Sequence, residues 1–247
     1  MNTAFYTGVS GMVAFQQQMD VTAHNIANST TAGYKAGRSS FSDLMYTAMD
    51  VRTPGEKVTG HGVKNASTDI IMSQSGLKLT GNVLDFAIVG DGFFALDDGA
   101  GNLKYTRNGA FNVSMEGNKG YLISGVDGSY VLDNRGRRVE LTPKGDGQFS
   151  AEGVMDKLGV YNFSNPYGLA RANGSSFTAT EKSGKATAVT NVKGNESYVL
   201  KGGTLEFSAT NLGDEMITVI QAQRAFQMNS KIVQTADQIE EMINNLR

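Results

Sequence analysis

Residues 211–247 read NLGDEMITVIQAQRAFQMNSKIVQTADQIEEMINNLR, and the spacing of their apolar side chains decides the architecture. Leu212, Val219, Phe226 and Val233 recur every seven residues, as do Ala225, Ile232, Ile239 and Leu246, with Ala236 and Ile243 filling the alternating spacing. Heptad tracks of this kind belong to a helix whose apolar stripe is buried against other helices. Asn211 is a good N-cap, Asp214 and Glu215 place acids in the first turn, and no Gly or Pro follows Gly213. Two adjacent tracks make a stripe wide enough for more than one neighbour. A helix over 211–246 is about 54 Å long, whereas a compact globule of this chain length has a radius of gyration of about 18 Å. The helix therefore spans or overruns the body it belongs to.

Working outward, the N-terminus repeats the pattern. Phe5, Met12, Met19 and Ile26 stand seven apart beside Val9, Phe15 and Ala23, which predicts a helix from about Thr3 to Asn28 with one apolar face. Gly8 and Gly11 weaken it by roughly 1 kcal/mol each relative to Ala. Between the arms the chain changes character: 22 of its 30 glycines fall between Gly76 and Gly203. Leu84, Phe86 and Ile88 alternate with Asp85 and Ala87, then Gly90-Asp91-Gly92 leads into Phe93 to Leu96. Further units follow around Asn108-Gly109 and Asp127-Gly128, each read as a hairpin, and weaker strand patterns appear at 160–163 and 197–201. Turn signals at this spacing predict an antiparallel sandwich or barrel.

The composition narrows the function. The chain has 247 residues with 22 Lys+Arg against 24 Asp+Glu, a net charge of −2, which gives no electrostatic footprint for nucleic acid. With no Cys and only His24 and His61 as imidazoles, thiolate metal sites and Cys nucleophiles are excluded. A metal site from the two would need Asp20 or Asp69 to converge with both, and nothing in the spacing supports that. No apolar run approaches the roughly 20 residues of a membrane span, and the first basic residue is Lys35, so no charged start of a signal peptide is present. Val89 to Ala95 imitates a dinucleotide fingerprint, but the motif needs a helix after its glycines and a β-rich run follows instead. Ser183 to Ala186 resembles a phosphate loop without the required hydroxyl. No catalytic, cofactor or metal residues are assigned.

Four segments resemble, in order, the bacterial flagellar basal-body rod protein family, which is related to the flagellar hook protein. Residues 1 to 45, with Ala23-His24-Asn25-Ile26-Ala27-Asn28, Thr31-Ala32-Gly33-Tyr34-Lys35 and Phe41-Ser42-Asp43-Leu44, are similar to its N-terminal signature. Leu84 to Leu96 and Tyr105 to Phe111 resemble its β segment. Gly203-Thr204-Leu205-Glu206 and Gln221 to Phe226 through Gln238 resemble its C-terminal helix. His24 departs from the small or amide residue usual there.

The resemblance implies an α+β fold in which long N- and C-terminal helices pair as a coiled-coil-like domain (1–30 and 205–247). An extended connecting segment (31–75) and a central antiparallel all-β domain (76–204) complete it. It implies a non-enzymatic rod subunit that self-assembles helically into the axial tube carrying torque from motor to hook. The subunit interface is expected at Phe5, Met12, Met19, Ile26, Leu212, Val219, Phe226, Ile232, Val233, Ile239, Ile243 and Leu246. Asn25, Asn28, Gly33 and Tyr34 are expected to shape the turn out of the first helix. Its partners are other copies, other axial proteins and the type III export machinery, with no cofactor, nucleic acid or membrane insertion, in the basal-body rod that spans the periplasm. A hook-type subunit is the alternative, as is a surface carbohydrate-binding β module around Tyr121, Tyr130, Tyr161 or Tyr167.

Overall fold

The structure, a computed structural model, describes residues 3–49, 57–117, 119–143, 149–150, 153–189 and 198–246. It is an α+β protein with a helix at each end and antiparallel sheets between them. The chain divides into a helical unit (Met1–Ala27, Gly37–Ile70, Thr210–Arg247) and a β unit (Asn28–Ala36, Ile71–Ala209).

In the helical unit, α1 spans Thr3–Ala27 and is followed by strands β1 (Gly37–Asp43), β2 (Tyr46–Met49), β3 (Lys57–Gly60) and β4 (Val63–Ile70). β1 pairs antiparallel with β4, and β2 with β3. Of residues 31–75, read from sequence as an extended connection, the described parts of 37–70 thus supply two ribbons to this unit. A two-stranded ribbon is marginal in water; here α1 packs against β1 and β4, with the Phe15 and Phe41 rings 5.9 Å apart.

The β unit contains β5 (Leu77–Leu79), β6 (Phe86–Gly90), β7 (Phe93–Asp97), β8 (Leu103–Thr106), β9 (Phe111–Glu116), β10 (Lys119–Ser124), β11 (Tyr130–Val131), β12 (Glu140–Pro143) and β13 (Phe149–Ser150). A four-residue helix α2 (Val154–Lys157) comes next, then β14 (Val160–Asn162), β15 (Ala170–Arg171), β16 (Ser176–Thr178), β17 (Thr187–Ala188), β18 (Tyr198–Gly202) and β19 (Thr204–Glu206). Position 197 of the predicted 197–201 strand lies outside the described residues.

Of the three hairpins read from sequence, one forms. β10 and β11 pair around Asp127-Gly128, but β6 pairs with β18 while β7 pairs with β8, β11 and β14, so Asp91-Gly92 turns the chain from one sheet into another. The Asn108-Gly109 turn likewise leads from β8, which pairs with β7 and β16, to β9, which pairs with β10. Turn residues specify that the chain bends, not which strand it meets.

All four of Phe93 to Leu96 are buried, the mark of a strand covered on both faces. Phe94 meets Phe111 edge-on at 5.1 Å in the main core with Ile88, Leu122 and Val160. Phe93, facing the other way, packs on Phe163 and Phe177 at 5.9 Å each.

The second long helix, α3, runs Leu212–Asn245, capped by the Asn211 side chain accepting from Gly213 N at 3.1 Å. It lies antiparallel to α1, with Asn25 bonded to Glu215 towards one end and Gly8 against Val233 towards the other. Gly8 and Gly11 are buried there, and they carry more than a propensity cost. A Cβ on Gly8 would stand 2.9 Å from Val233 Cγ2, and one on Gly11 the same distance from Asn229 Oδ1. Gly8→Ala tests this, because helix propensity alone gains about 1 kcal/mol from the change. The crowding turns that gain into a net loss of up to about 2 kcal/mol, read by denaturant unfolding followed through the helical circular dichroism signal.

Candidate assembly interface

α3 presents two different apolar faces. The covered one follows a 3-4 alternation through Val219, Ala222, Phe226, Asn229, Val233 and Ala236, of which Ala222 and Ala236 are buried and the others half-buried. α1 supplies half-buried Phe5, Met12, Met19 and Ile26. The other face stays open: Ile232 is 46%, Ile239 48%, Ile243 60% and Leu246 87% exposed, while Leu212, on the covered track at the very start of the helix, is 48% exposed. The predicted interface set therefore splits, with Val219, Phe226 and Val233 on the covered face and the remaining α3 members exposed. Setting Gly8 opposite Val233 brings Thr3 level with about residue 238, so the last two turns of α3 outrun α1.

The junction of the two helices is held by Asn25, which is 1% exposed. Its Nδ2 donates to Gly37 O and to Glu215 Oε1, both at 2.8 Å, while its Oδ1 accepts from Gly37 N at 2.9 Å. One amide thus joins the end of α1, the start of β1 and the first turn of α3. Burial pushes the Glu215 carboxyl above the usual range, the Asn25 bond opposes this, and the neighbouring Asp214 charge adds to it.

The other three motif residues lie in the β unit. Thr31 N bonds Asn28 O at 3.2 Å. Gly33 has φ +66°, and a Cβ there would meet the Arg107 carbonyl carbon at 2.6 Å, so only glycine fits. Tyr34 is buried with the Arg171 guanidinium 5.2 Å from its ring centre.

Sequence reading missed the charged residue beside them. Lys35 is 1% exposed, and its Nζ donates to Glu206 Oε1 at 2.8 Å and to Ser73 O at 2.7 Å. Glu206, equally buried, accepts from Ser75 N at 2.9 Å, and its Oε2 lies 3.6 Å from Arg107 Nη1. Arg107 donates to Gly90 O at 2.8 Å. Glu206 Oε2 and Arg107 Nε are buried without a hydrogen bond. Burial lowers both cations' pKa values; the Glu206 charge works against this at each. All three lie within segments singled out in the sequence, yet nothing local marks them as partners.

The remaining candidates do not converge. His61 Nε2 contacts the Thr47 hydroxyl, His24 is exposed on α1, and among the described residues no three His, Cys, Asp or Glu side chains gather to hold a metal. The Tyr130 ring face is covered by the Arg138 guanidinium at 3.9 Å, with Tyr121 edge-on to it at 5.9 Å. The Tyr161 hydroxyl donates to Asp133 O at 2.7 Å, and Tyr167 stands 70% exposed on a separate turn.

Three family descriptions match along the chain. Residues 5–35 match "Flagella basal body rod protein", 87–143 "Flagellar hook protein FlgE/F/G D1 domain" and 201–246 "Flagellar basal body rod FlgEFG protein C-terminal". The chain is 35% identical over 268 residues to the flagellar basal-body rod protein FlgG of Bacillus subtilis, covering 100% of both chains. It is 33% identical to that of Borreliella burgdorferi over 100% of this chain and 99% of the relative. For that of Agrobacterium fabrum the figures are 34% and 98% of each. The chain belongs to the flagellar basal-body rod protein family.

Two outcomes check the geometry. Because the folded pKa of Glu215 lies above its unfolded value, its contribution to stability is full below the ordinary glutamate range and is lost as pH rises through the raised value. Glu215→Gln, which keeps the acceptor for Asn25, therefore gains on the unsubstituted chain as pH rises to neutrality, in paired denaturant titrations. Lys35→Ala strands a buried carboxylate and costs roughly 3–5 kcal/mol, whereas Lys35→Met with Glu206→Leu costs less than the two single changes together, as a double-mutant cycle would measure.

Proposed function

We propose that this protein is a structural subunit of the bacterial flagellar basal-body rod and assembles with copies of itself and with other axial proteins of the flagellum. It is not an enzyme. The observation that carries the reading is the two-faced α3: one face is covered by α1, and the other displays Ile232, Ile239, Ile243 and Leu246 to solvent. Several exposed large aliphatic side chains on one helix are a poor solution for a monomer and a good one for a subunit.

The terminal arms, 1–30 and 205–247, act as the assembly domain, pairing in coiled-coil-like fashion, with 31–75 as the connection and 76–204 as the β domain. Phe5, Met12, Met19, Ile26, Val219, Phe226 and Val233 hold the pair together within a subunit. Leu212, Ile232, Ile239, Ile243 and Leu246 meet neighbouring subunits. Asn25 fixes the exit of α1, and Asn28, Gly33 and Tyr34 set the path that follows. Helical stacking of such subunits gives an axial tube able to carry torque from motor to hook, and the subunit reaches that site through the flagellar type III export machinery. Among the described residues, no helix is long and apolar enough to cross a membrane.

Electron microscopy of the purified chain at high concentration tests the reading directly: straight tubes are expected. Deletion of residues 226–247 should leave β structure intact by circular dichroism while abolishing both tubes and incorporation into basal bodies. Normal incorporation of that truncated chain would overturn the proposal.

A further inference from the structure

We infer that Met228 and Met242 form an oxidation-sensitive site on the open face of α3, at which a peroxide-class oxidant takes the subunit out of assembly. This rests on the rod reading above. Met228 is 60% and Met242 57% exposed. They lie fourteen residues apart on one helix, which brings them to within about 40° of each other around its axis. Ile232 and Ile239 fall between them along the same side, 46% and 48% exposed. Met216, 62% exposed on the same helix, points about 120° away from Met228. On α1, Met12 and Met19 are half-buried.

The chemistry needs no activated residue. The thioether sulfur attacks one peroxide oxygen, the S–O bond forms as the O–O bond breaks, and the departing hydroxide takes the proton from the oxygen now bound to sulfur and leaves as water. Sulfur is oxidised by two electrons and the peroxide reduced by two, giving methionine sulfoxide. The product replaces a flexible apolar chain with a strong S=O acceptor. In solution that acceptor is satisfied by water. Pressed among Ile232 and Ile239 against a neighbouring apolar surface, it is desolvated without a donor. The free subunit therefore tolerates the modification and the contact does not. Reduction of the sulfoxide restores the original surface.

The test treats the purified full chain with hydrogen peroxide until peptide mass spectrometry shows Met228 and Met242 converted, then compares the concentration needed for polymer formation by sedimentation. Oxidation should raise that concentration about tenfold or more, and methionine sulfoxide reductase should reverse it. Met228→Leu with Met242→Leu should polymerise equally before and after peroxide, whereas Met216→Leu should remain as sensitive as the unsubstituted chain. Equal polymerisation of oxidised and untreated protein would overturn the inference and leave the rod reading standing, as would loss of assembly by the doubly substituted chain on oxidation. If the untreated chain forms no polymer, the rod reading fails and this inference with it.

Discussion

The β unit depends on a charge pair that is almost entirely out of water. Lys35 and Glu206 meet at 2.8 Å with side chains 1% and 0% exposed. An isolated buried charge is costly, so such a pair holds only where neighbouring dipoles complete its shell. Ser73 O and Ser75 N do so here, and Arg107 adds a second cation. Backbone bonds follow the same line: Gly33 N donates to Glu206 O and Ala209 N to Tyr34 O, each at 2.9 Å. The segments just after the first long helix and just before the last are thereby sewn together. A hydrophobic contact could hold them as firmly, but it would accept a shift in register that a directed ion pair with fixed donors does not.

The helical unit meets the same need for register by different means. α1 carries only Asp20 among its acidic and basic residues apart from His24, so charge offers few handles for aligning it with α3. Alignment falls to Asn25, whose amide uses both donor and acceptor, and to Gly8 and Gly11, whose missing side chains admit Val233 and Asn229 at one level only. Steric fit and one buried amide replace the ion pair.

Much of this was legible in the residues, and the remainder was not for definable reasons. The heptad tracks located both helices, and Asn211 marked the start of α3, because capping and periodicity are local properties. The same tracks make a stripe wide enough for more than one neighbour; in the structure α1 covers one side of α3 and the other is exposed. Strand pairing was less legible. Asp91-Gly92 and Asn108-Gly109 are turns as read, yet their flanking strands find partners elsewhere, since alternation reports burial and carries no information about which edge is met. Lys35, Arg107 and Glu206 each fall within a motif, and nothing in those motifs marks any of them as buried. A lysine in a polar turn looks solvated until the strand that covers it, 171 residues away, is in place.

These two kinds of constraint divide the work of the chain. Contacts that must be unique within one subunit are built from polar groups with fixed geometry: Asn25 with Glu215, Lys35 with Glu206, and Gly33 N with Glu206 O. The open face of α3, which in the assembly we propose meets other subunits, is built from Ile232, Ile239, Ile243 and Leu246, whose attraction is non-directional. A stacked assembly in which each subunit meets several neighbours gains from that softness, because an aliphatic face tolerates small sliding where a buried ion pair would break. With its own register fixed by polar bonds, the subunit leaves the proposed interface free to rely on apolar contact that fixes none.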